Sequence, residues 1–463
     1  MSVALVLVPL VPLVLALALW LPRSGGAVRR FAPWAPAPAL VVAAFGVDGT
    51  LALPWLGLGM RLEMGPEARA FLLFGGLVWV LAVLRARPDP AEVGDDRRGL
   101  FFLLLAMAGG LILPLAMDPF GYLTGSALMT FAAYGLVQRG ADPAVRRAGW
   151  AYIILLVVAD VLLFEALLLH AGNGPPKPLF AVLAVAGFGI KAGLAPLHVW
   201  LPLAFRVVPV SAAMALVAGH VGTAVLGWQR FLPAVAAPLP ALAQTVAGLG
   251  LLAVSLGLAL GLLQRNPKVL LAYAGVAQVG VVALAVAAAL AEPALWGTVQ
   301  PLVGLYGLHY VVALAALLLA IPVAEAVQGR AARRRALAGA GLAAAVMAGV
   351  PFSAGGDAQA HLTRLWGARP ELAPALPEVL LPLFAFGMTA LMVRLVGLLW
   401  QRTGRRPGPV PWRGWTVLLG ALLATGPVGR ALLGIEPPAS FETWPLVVGV
   451  AAALPFLALR LPE

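Results

Sequence analysis

The chain has 463 residues, of which 62% are hydrophobic and 11% are charged, and its mean hydropathy is +0.97. This composition excludes a soluble globular domain, because apolar runs of roughly 18 or more residues recur along the whole chain and each could cross a bilayer as a helix. The absence of cysteine excludes disulfides, iron–sulfur clusters and thiolate metal sites.

The net charge of +12 allows two interpretations, contact with nucleic acid or an excess of arginine in cytoplasmic loops. The second suits a chain this apolar, so we expect no nucleic-acid partner. No histidines stand at a metal-ligand spacing and no glycine-rich phosphate loop follows a strand, so we expect no metal and no cofactor in this chain. The five histidines are His170, His198, His220, His309 and His361.

The first apolar run could be a signal peptide or a retained span. No basic residue precedes it and the arginines follow it, at Arg23, Arg29 and Arg30. This arrangement favours a retained first span with its N-terminus outside. The spans that we predict are fourteen or fifteen transmembrane helices, at residues 2–22, 34–52, 67–86, 99–117, 119–137, 148–170, 179–201, 209–229, 241–263, 268–290, 299–322, 337–362, 378–400, 413–433 and 443–460.

The basic residues test this assignment. Alternate loops hold 21 of the 31 Lys and Arg residues, and the loops between them hold seven. Loops 330–335 and 402–413 each hold four arginines. The bias predicts a multi-pass integral membrane protein with the arginine-rich loops in the cytoplasm. We expect the membrane to be the bacterial inner membrane.

Two predicted spans are interrupted. "GFGIKAGLAPLHVWLP", residues 187–202, breaks near 191–198, and "MAGVPFSAGGDAQAHLTRLW", residues 347–366, breaks near 351–357. Two polar, Gly/Pro-interrupted spans are typical of transporters built from repeats, with ion sites at the broken helices. We therefore predict one integral-membrane domain over residues 1–463. Its parts are N-terminal helices 1–98, a first repeat 99–230, a second repeat 240–400 and C-terminal helices 401–463.

Lys191 lies in the first interrupted span. An unpaired ammonium at the bilayer centre costs at least ~2.5–3.5 kcal/mol, so Lys191 should face an acid or water inside the bundle. Asp160 and Glu165 are the candidates, and their separation along one helix means that only one of them can pair with it. His220 and His309 could continue a polar line, because histidine titrates near neutrality, or they could be packing residues.

Five segments carry a resemblance to a known family. They are "GFGIKAGLAPLHVWLPLAF" (187–205), "PVSAAMALVAGHVGTAVLGWQRFLP" (209–233), "QRNPKVLLAYAGVAQVG" (264–280), "AMDPFGYLTGSALMTFAAYGLV" (116–137) and "GVPFSAGG" (349–356). They resemble the antiporter-like, ion-translocating subunits of respiratory complex I, of Mrp-type cation/proton antiporters and of group 4 hydrogenases. The resemblance is greatest to the large membrane subunit of formate hydrogenlyase and hydrogenase-4.

The resemblance implies an all-α polytopic fold with two inverted five-helix repeats, a broken helix in each, and a charged axis across the membrane that carries protons or sodium ions. It places Lys191 on the family's central lysine. The residues that we expect along the route are Lys191, Asp160, Glu165, His198, His220, His309 and Asp357. The sequence departs from the family at three positions where the family has a charged residue of the route, because Ala127, Gly222 and Ala313 stand there instead. The last charged position of the family aligns with Asp357 or Gln359.

Three functions fit these observations. The chain could translocate protons or sodium ions as a subunit of a complex I-related assembly, with the redox chemistry in partner subunits. It could instead be a degenerate subunit that conducts nothing and serves assembly and docking. The third possibility is a stand-alone cation/proton antiporter.

Overall fold

A computed structural model describes most of the chain. The described residues are 2–21, 25–54, 56, 59–86, 97–172, 178–368, 381–406, 408–438, 440–441, 443 and 445–450. The predicted last span, 443–460, therefore lies largely outside the described residues. The chain divides into two compact units: unit 1 comprises Met1–Gly193 and Val199–Ala236, and unit 2 comprises Leu194–His198 and Ala237–Glu463.

Both units are built almost entirely of helices. The helices of unit 1 are α1 (Ser2–Ala18), α2 (Gly25–Phe31), α3 (Ala37–Phe45), α4 (Pro66–Arg85), α5 (Arg97–Ile112), α6 (Pro119–Val137), α7 (Pro143–Ala171), α8 (Pro178–Ala192), α9 (Trp200–Val207), α10 (Val210–Leu216) and α11 (Gly222–Phe231). Those of unit 2 are α12 (Pro240–Leu262), α13 (Pro267–Ala291), α14 (Trp296–Ala326), α15 (Arg330–Met347), α16 (Ala354–Gly367), α17 (Leu381–Arg402) and α18 (Trp412–Leu433). Within the described ranges, ten helical stretches are long and apolar enough to cross a membrane. The predicted all-α polytopic fold is confirmed.

Helix starts follow from local sequence. Asp118 caps α6 by accepting a hydrogen bond from Gly121 N at 2.6 Å, and Asp142 caps α7 by accepting one from Ala144 N at 2.6 Å. In both helices a proline follows the cap, where its missing N–H would be unpaired in any case. These caps fix the ends of two helices that carry the polar residues of unit 1.

The first predicted break is confirmed. Helix α8 ends at Ala192, Gly193 has φ +84°, and a turn of 3₁₀ helix at Leu197–Val199 leads into α9. A glycine with positive φ is the usual way to end a helix. At the end of α8, Ile190 O accepts from Gly193 N at 3.1 Å and also from the indole Nε1 of Trp200 at 2.8 Å, which helps to satisfy the terminal carbonyls of the helix.

The second break is confirmed too, although it lies slightly earlier than 351–357. Helix α15 ends at Met347, Gly349 has φ +89°, and α16 begins at Ala354 behind the cap Ser353. Gln278 of α13 donates through Nε2 to Met347 O at 3.0 Å, which satisfies a terminal carbonyl of α15. Gly355 and Gly356, which fall within the predicted break 351–357, are helical.

The predicted span 34–52 is wrong in its second half. Helix α3 ends at Phe45, and residues Gly49–Leu53 form β1, which pairs antiparallel with β2 (Met60–Met64). A short apolar run has no helical or strand period long enough to separate the two structures. The hairpin is held to the rest of unit 1 by Arg61, whose N–H donates to Asp118 Oδ2 at 2.6 Å.

Candidate functional site

An ion pair between a buried lysine and a partly buried aspartate lies within unit 1. Lys191 Nζ is 2.9 Å from Asp160 Oδ1, and the two side chains are 3% and 17% exposed. Lys191 is on the last turn of α8, just before the break, and Asp160 is near the middle of α7. Of the two acids expected to compete for Lys191, the structure therefore places Asp160 at the lysine.

Two hydroxyl groups of α6 complete the shell around this pair. Ser126 Oγ donates to Asp160 Oδ1 at 2.6 Å, and Thr130 Oγ1 donates to Asp160 Oδ2 at 2.7 Å. Lys191 Nζ also donates to Thr130 Oγ1, at 2.9 Å. Thr130 thus bridges ammonium and carboxylate, and every strong polar atom of the pair has a partner, as a charge pair in apolar surroundings requires.

Close helix packing brings the pair together. Gly187 of α8 precedes Lys191 by one turn, and a Cβ added there would lie 2.7 Å from Leu163 Cγ and 3.1 Å from Ala159 O of α7. Glycine therefore lets the two backbones approach at the level of Asp160. Ser126 and Thr130 are four residues apart and so share one face of α6.

A second polar contact lies beside the pair. Tyr152 OH is 2.6 Å from His220 Nε2 and donates to Thr130 O at 3.0 Å. One consistent assignment has His220 donating from Nε2–H to the phenol oxygen. His220 lies in a π-helical turn, Val217–Val221, between α10 and α11. Such turns are frequent at functional sites.

Three of the predicted site residues lie in unit 2, and two of them are His309 and Asp357. His309 of α14 is fully buried and packs against Gly355 of α16, where an added Cβ would be 2.5 Å from its Nε2. Its ring nitrogens make no hydrogen bond of regular geometry with a described residue, although the Met347 carbonyl interacts with the ring. Asp357 of α16 is fully buried and accepts from Arg430 Nη1 of α18.

The remaining two predicted residues do not join the Lys191 pair. Glu165 is exposed on the outer side of α7, among the exposed side chains of Val161, Phe164 and Leu168. His198 belongs to unit 2, where its ring centroid is 6.1 Å from that of Tyr273.

Sequence reasoning missed Ser126, Thr130 and Tyr152. A signal was present, because Ser126 and Thr130 recur at helical spacing around Ala127, the position at which the family resemblance implies a glutamate. The carboxylate is found on α7 instead of α6, and the hydroxyls of α6 point at it. Tyr152 lies eight residues before Asp160, which is two turns along the same face of α7.

The arrangement in unit 1 can hold and move a proton. The ammonium of Lys191 can pass a proton to Asp160 directly or through the Thr130 hydroxyl, which accepts from nitrogen and donates to the carboxylate. Transfer leaves a neutral amine and a neutral carboxylic acid, two species that a low-dielectric interior tolerates.

Comparisons with known proteins identify relatives of this chain. A family model described as NADH:quinone oxidoreductase/Mrp antiporter, TM, matches residues 125–327, which include Thr130, Asp160, Lys191, His220 and His309. NADH-quinone oxidoreductase subunit N of Cereibacter sphaeroides is 32% identical over 359 residues, which cover 72% of this chain and 75% of that protein. Subunit N of Geobacter metallireducens is 31% identical over 255 residues, about half of each chain.

Hydrogenase-4 component B of Escherichia coli is 29% identical over 233 residues, which cover 45% of this chain and 34% of that protein. Among solved structures, the fold matches a chain of the Mrp complex from Dietzia sp. DQ12-45-1b with a TM-score of 0.79, at 18% identity over 100% of this chain and 56% of that one. A chain of the archaeal membrane-bound sulfane sulfur reductase matches with a TM-score of 0.73, at 18% identity over 100% and 86%. At this identity the two structures establish likeness of fold.

Proposed function

Because this chain belongs to the family of antiporter-like membrane subunits that includes subunit N of NADH-quinone oxidoreductase, we propose that it translocates protons through the Lys191–Asp160 pair. The family resemblance predicted from the motifs is confirmed, and the chain is a multi-pass membrane subunit of the type found in complex I-related assemblies. The same proposal covers a subunit that translocates sodium ions instead of protons.

The observation that carries the proposal is the ion pair itself. Lys191 and Asp160 are 2.9 Å apart in the interior of unit 1, with the Thr130 hydroxyl in contact with both. Intramembrane ionisable residues are expensive to keep, and they commonly mark ion pathways. A lysine and a carboxylate bridged by a hydroxyl can exchange a proton without leaving a lone charge in apolar surroundings.

His220 would be the second proton-holding group of unit 1. Its contact with Tyr152, and the contact of Tyr152 with the Thr130 carbonyl, place it one side chain away from the Lys191 pair. In the family resemblance a lysine stands at the position of Gly222, and His220 offers a titratable ring two residues earlier. A histidine ring can accept a proton on one nitrogen and release one from the other, which suits a relay.

The assembly and its chemistry are proposed from the relatives. Those relatives are subunits of NADH-quinone oxidoreductase, hydrogenase-4, the Mrp complex and a sulfur-reducing respiratory complex. We place this chain in a multi-subunit complex of that kind in the bacterial inner membrane. The redox reaction and its cofactors would belong to partner subunits, and this chain would contact those subunits and the lipid bilayer.

The proposal is tested in vesicles that contain the intact complex and a pH-sensitive dye. Lys191→Ala and Asp160→Asn should each abolish proton movement while the complex still assembles, because each removes one end of the exchange. Glu165→Gln is the matched control: it removes an exposed carboxylate from the same helix, so translocation should be unchanged.

A scaffold function predicts the opposite result. Ala127, Gly222 and Ala313 favour this second candidate, because the family resemblance implies a charged residue of the route at each of these three positions. If the chain serves assembly alone, Lys191→Ala and Asp160→Asn are silent for transport, and deletion of the chain dissolves the complex. Unchanged acidification of the Lys191→Ala vesicles would retire the translocation proposal.

A further inference from the structure

Unit 2 contains a buried ion pair that the route through unit 1 does not use. Arg430 Nη1 donates to Asp357 Oδ2. Asp357 lies in the first turn of α16, just after the second break, and its side chain is fully buried. Arg430 lies on the last turn of α18 and its side chain is 19% exposed. The pair thus connects a buried carboxylate to a cation that reaches the surface of the unit.

Only one of the two carboxylate oxygens of Asp357 is paired with Arg430. Arginine and carboxylate commonly bind through two parallel hydrogen bonds. Here the second carboxylate oxygen, Asp357 Oδ1, is buried, and no residue in the described part of the chain donates a hydrogen bond to it. A buried charged oxygen without a donor is unfavourable, so the geometry is poorly suited to a purely stabilising contact. The same oxygen is the place where Asp357 can accept a proton.

Arg430 cannot itself pass a proton on. A guanidinium stays protonated in proteins, so it affects Asp357 only through where its charge lies. With Arg430 in contact, the ionised carboxylate is stable. With Arg430 turned towards the surface, a buried carboxylate would have lost its counter-charge and would be more stable as the neutral acid. The position of one side chain therefore decides whether Asp357 binds a proton.

The end of α18 lacks one helical hydrogen bond and packs on the second break. Pro427 lies inside the helix three residues before Arg430, and proline removes one helical hydrogen bond there. Gly426 packs directly on the second break, since a Cβ added to it would lie 3.1 Å from Phe352 O and 3.3 Å from Ala354 N. A shift of this helix end would therefore displace the backbone that leads into Asp357.

Two histidines of unit 2 flank the pair. His361 is one turn after Asp357 on α16 and interacts with it electrostatically, while its Nε2 contacts Glu436 O at 2.9 Å. His309 of α14 packs against Gly355, two residues before Asp357. These rings are the titratable groups that could supply or accept the proton of Asp357.

We infer that Arg430 is a positioning residue that gates proton exchange at Asp357, by pairing with the carboxylate in one state and withdrawing from it in another. This inference rests on the proposed function, because a gate on proton exchange affects transport only if the subunit translocates protons. It assigns to α18 a part in transport that the motifs of the sequence did not indicate.

The experiment compares four variants of the intact complex in vesicles with a pH-sensitive dye. Asp357→Asn and Arg430→Gln should each lose proton movement, and Arg430→Lys, which keeps the charge, should retain part of it. The double variant Asp357→Asn/Arg430→Gln removes both charges, so it should assemble like the wild type and still fail to move protons. Arg364→Gln is the control: this exposed arginine of α16 bonds Ser440 Oγ at 3.2 Å and should be silent.

The double variant decides between a gate and a stabilising contact. If the pair only stabilises unit 2, removing both charges together restores proton movement, and the inference is overturned. Loss in Asp357→Asn and Arg430→Gln with a silent Lys191→Ala would leave the gate standing and reject the route through unit 1. Loss in Lys191→Ala with a normal double variant would do the reverse.

Discussion

Thr130 is the residue through which the polar groups of unit 1 meet. Its hydroxyl contacts both Lys191 and Asp160, and its carbonyl accepts from Tyr152. A hydroxyl can accept one hydrogen bond and donate another at the same time, which neither an amide nor a carboxylate does with a single atom. Of the two hydroxyls in the shell, Ser126 contacts Asp160, whereas Thr130 contacts both Asp160 and Lys191 and can therefore carry a proton between them.

We expect Thr130→Val to slow proton movement and to lower the stability of the complex. Valine has nearly the same shape and no hydroxyl, so Asp160 Oδ2 loses its donor at a cost of about 1–3 kcal/mol. The measurements are dye acidification in vesicles and thermal unfolding of the purified complex. Thr130→Ser, which keeps the hydroxyl, should behave nearly as the wild type. Equal transport by Thr130→Val and the wild type would show that the bridge is dispensable.

An acid of α7 as the partner of Lys191 could be predicted from the sequence, whereas the spacing of Ser126 and Thr130 did not by itself assign them to the shell. An isolated ammonium in a membrane is so unfavourable that an acid on a neighbouring span is required. A serine or threonine in a helix carries no such requirement, because it can bond to its own backbone one turn earlier. Thr124, Thr245 and Thr389 do so in this protein. Only the packing of α6 on α7 distinguishes Thr130 from them.

Among the elements, the two broken helices show that glycine has two different structural roles. Gly193 and Gly349 have positive φ and end α8 and α15. Gly355 and Gly356 lie inside α16, where a side chain would meet His309 Nε2 at 2.5 Å and the Val350 carbonyl. Composition alone does not separate a glycine that ends a helix from one that admits a neighbour. The first break was therefore placed correctly and the second was placed too late.

Gly193→Ala should destabilise the protein. A non-glycine residue in the left-handed region costs about 1–2 kcal/mol, and the added Cβ would be 3.2 Å from Leu201 Cδ2. Thermal unfolding of the purified complex measures the effect. Gly248→Ala in the middle of α12 is the control, since nothing lies within 4 Å of its added Cβ and a helical alanine should gain about 0.5–1 kcal/mol. A neutral Gly193→Ala would contradict the role given to this turn.

For the whole molecule, the arginine-rich loops predict one orientation in the membrane. The chain has no cysteine, so single cysteines can be introduced and labelled without background. Ala331→Cys, at the start of α15 among four arginines, should react with a membrane-impermeant thiol reagent from the cytoplasmic side only. Ala237→Cys, in the exposed segment before α12, should react from the opposite side. Labelling of Ala331→Cys from outside would reverse the topology.

The two breaks also differ in what they need while the chain is being made. In α8 the side-chain donor to the Ile190 carbonyl is Trp200, ten residues later, so this segment brings its own partner as it leaves the ribosome. In α15 the donor is Gln278, which precedes Met347 by 69 residues. Helix α13 must therefore already be in the membrane before the second broken helix can settle, and the order of synthesis from N- to C-terminus ensures that it is.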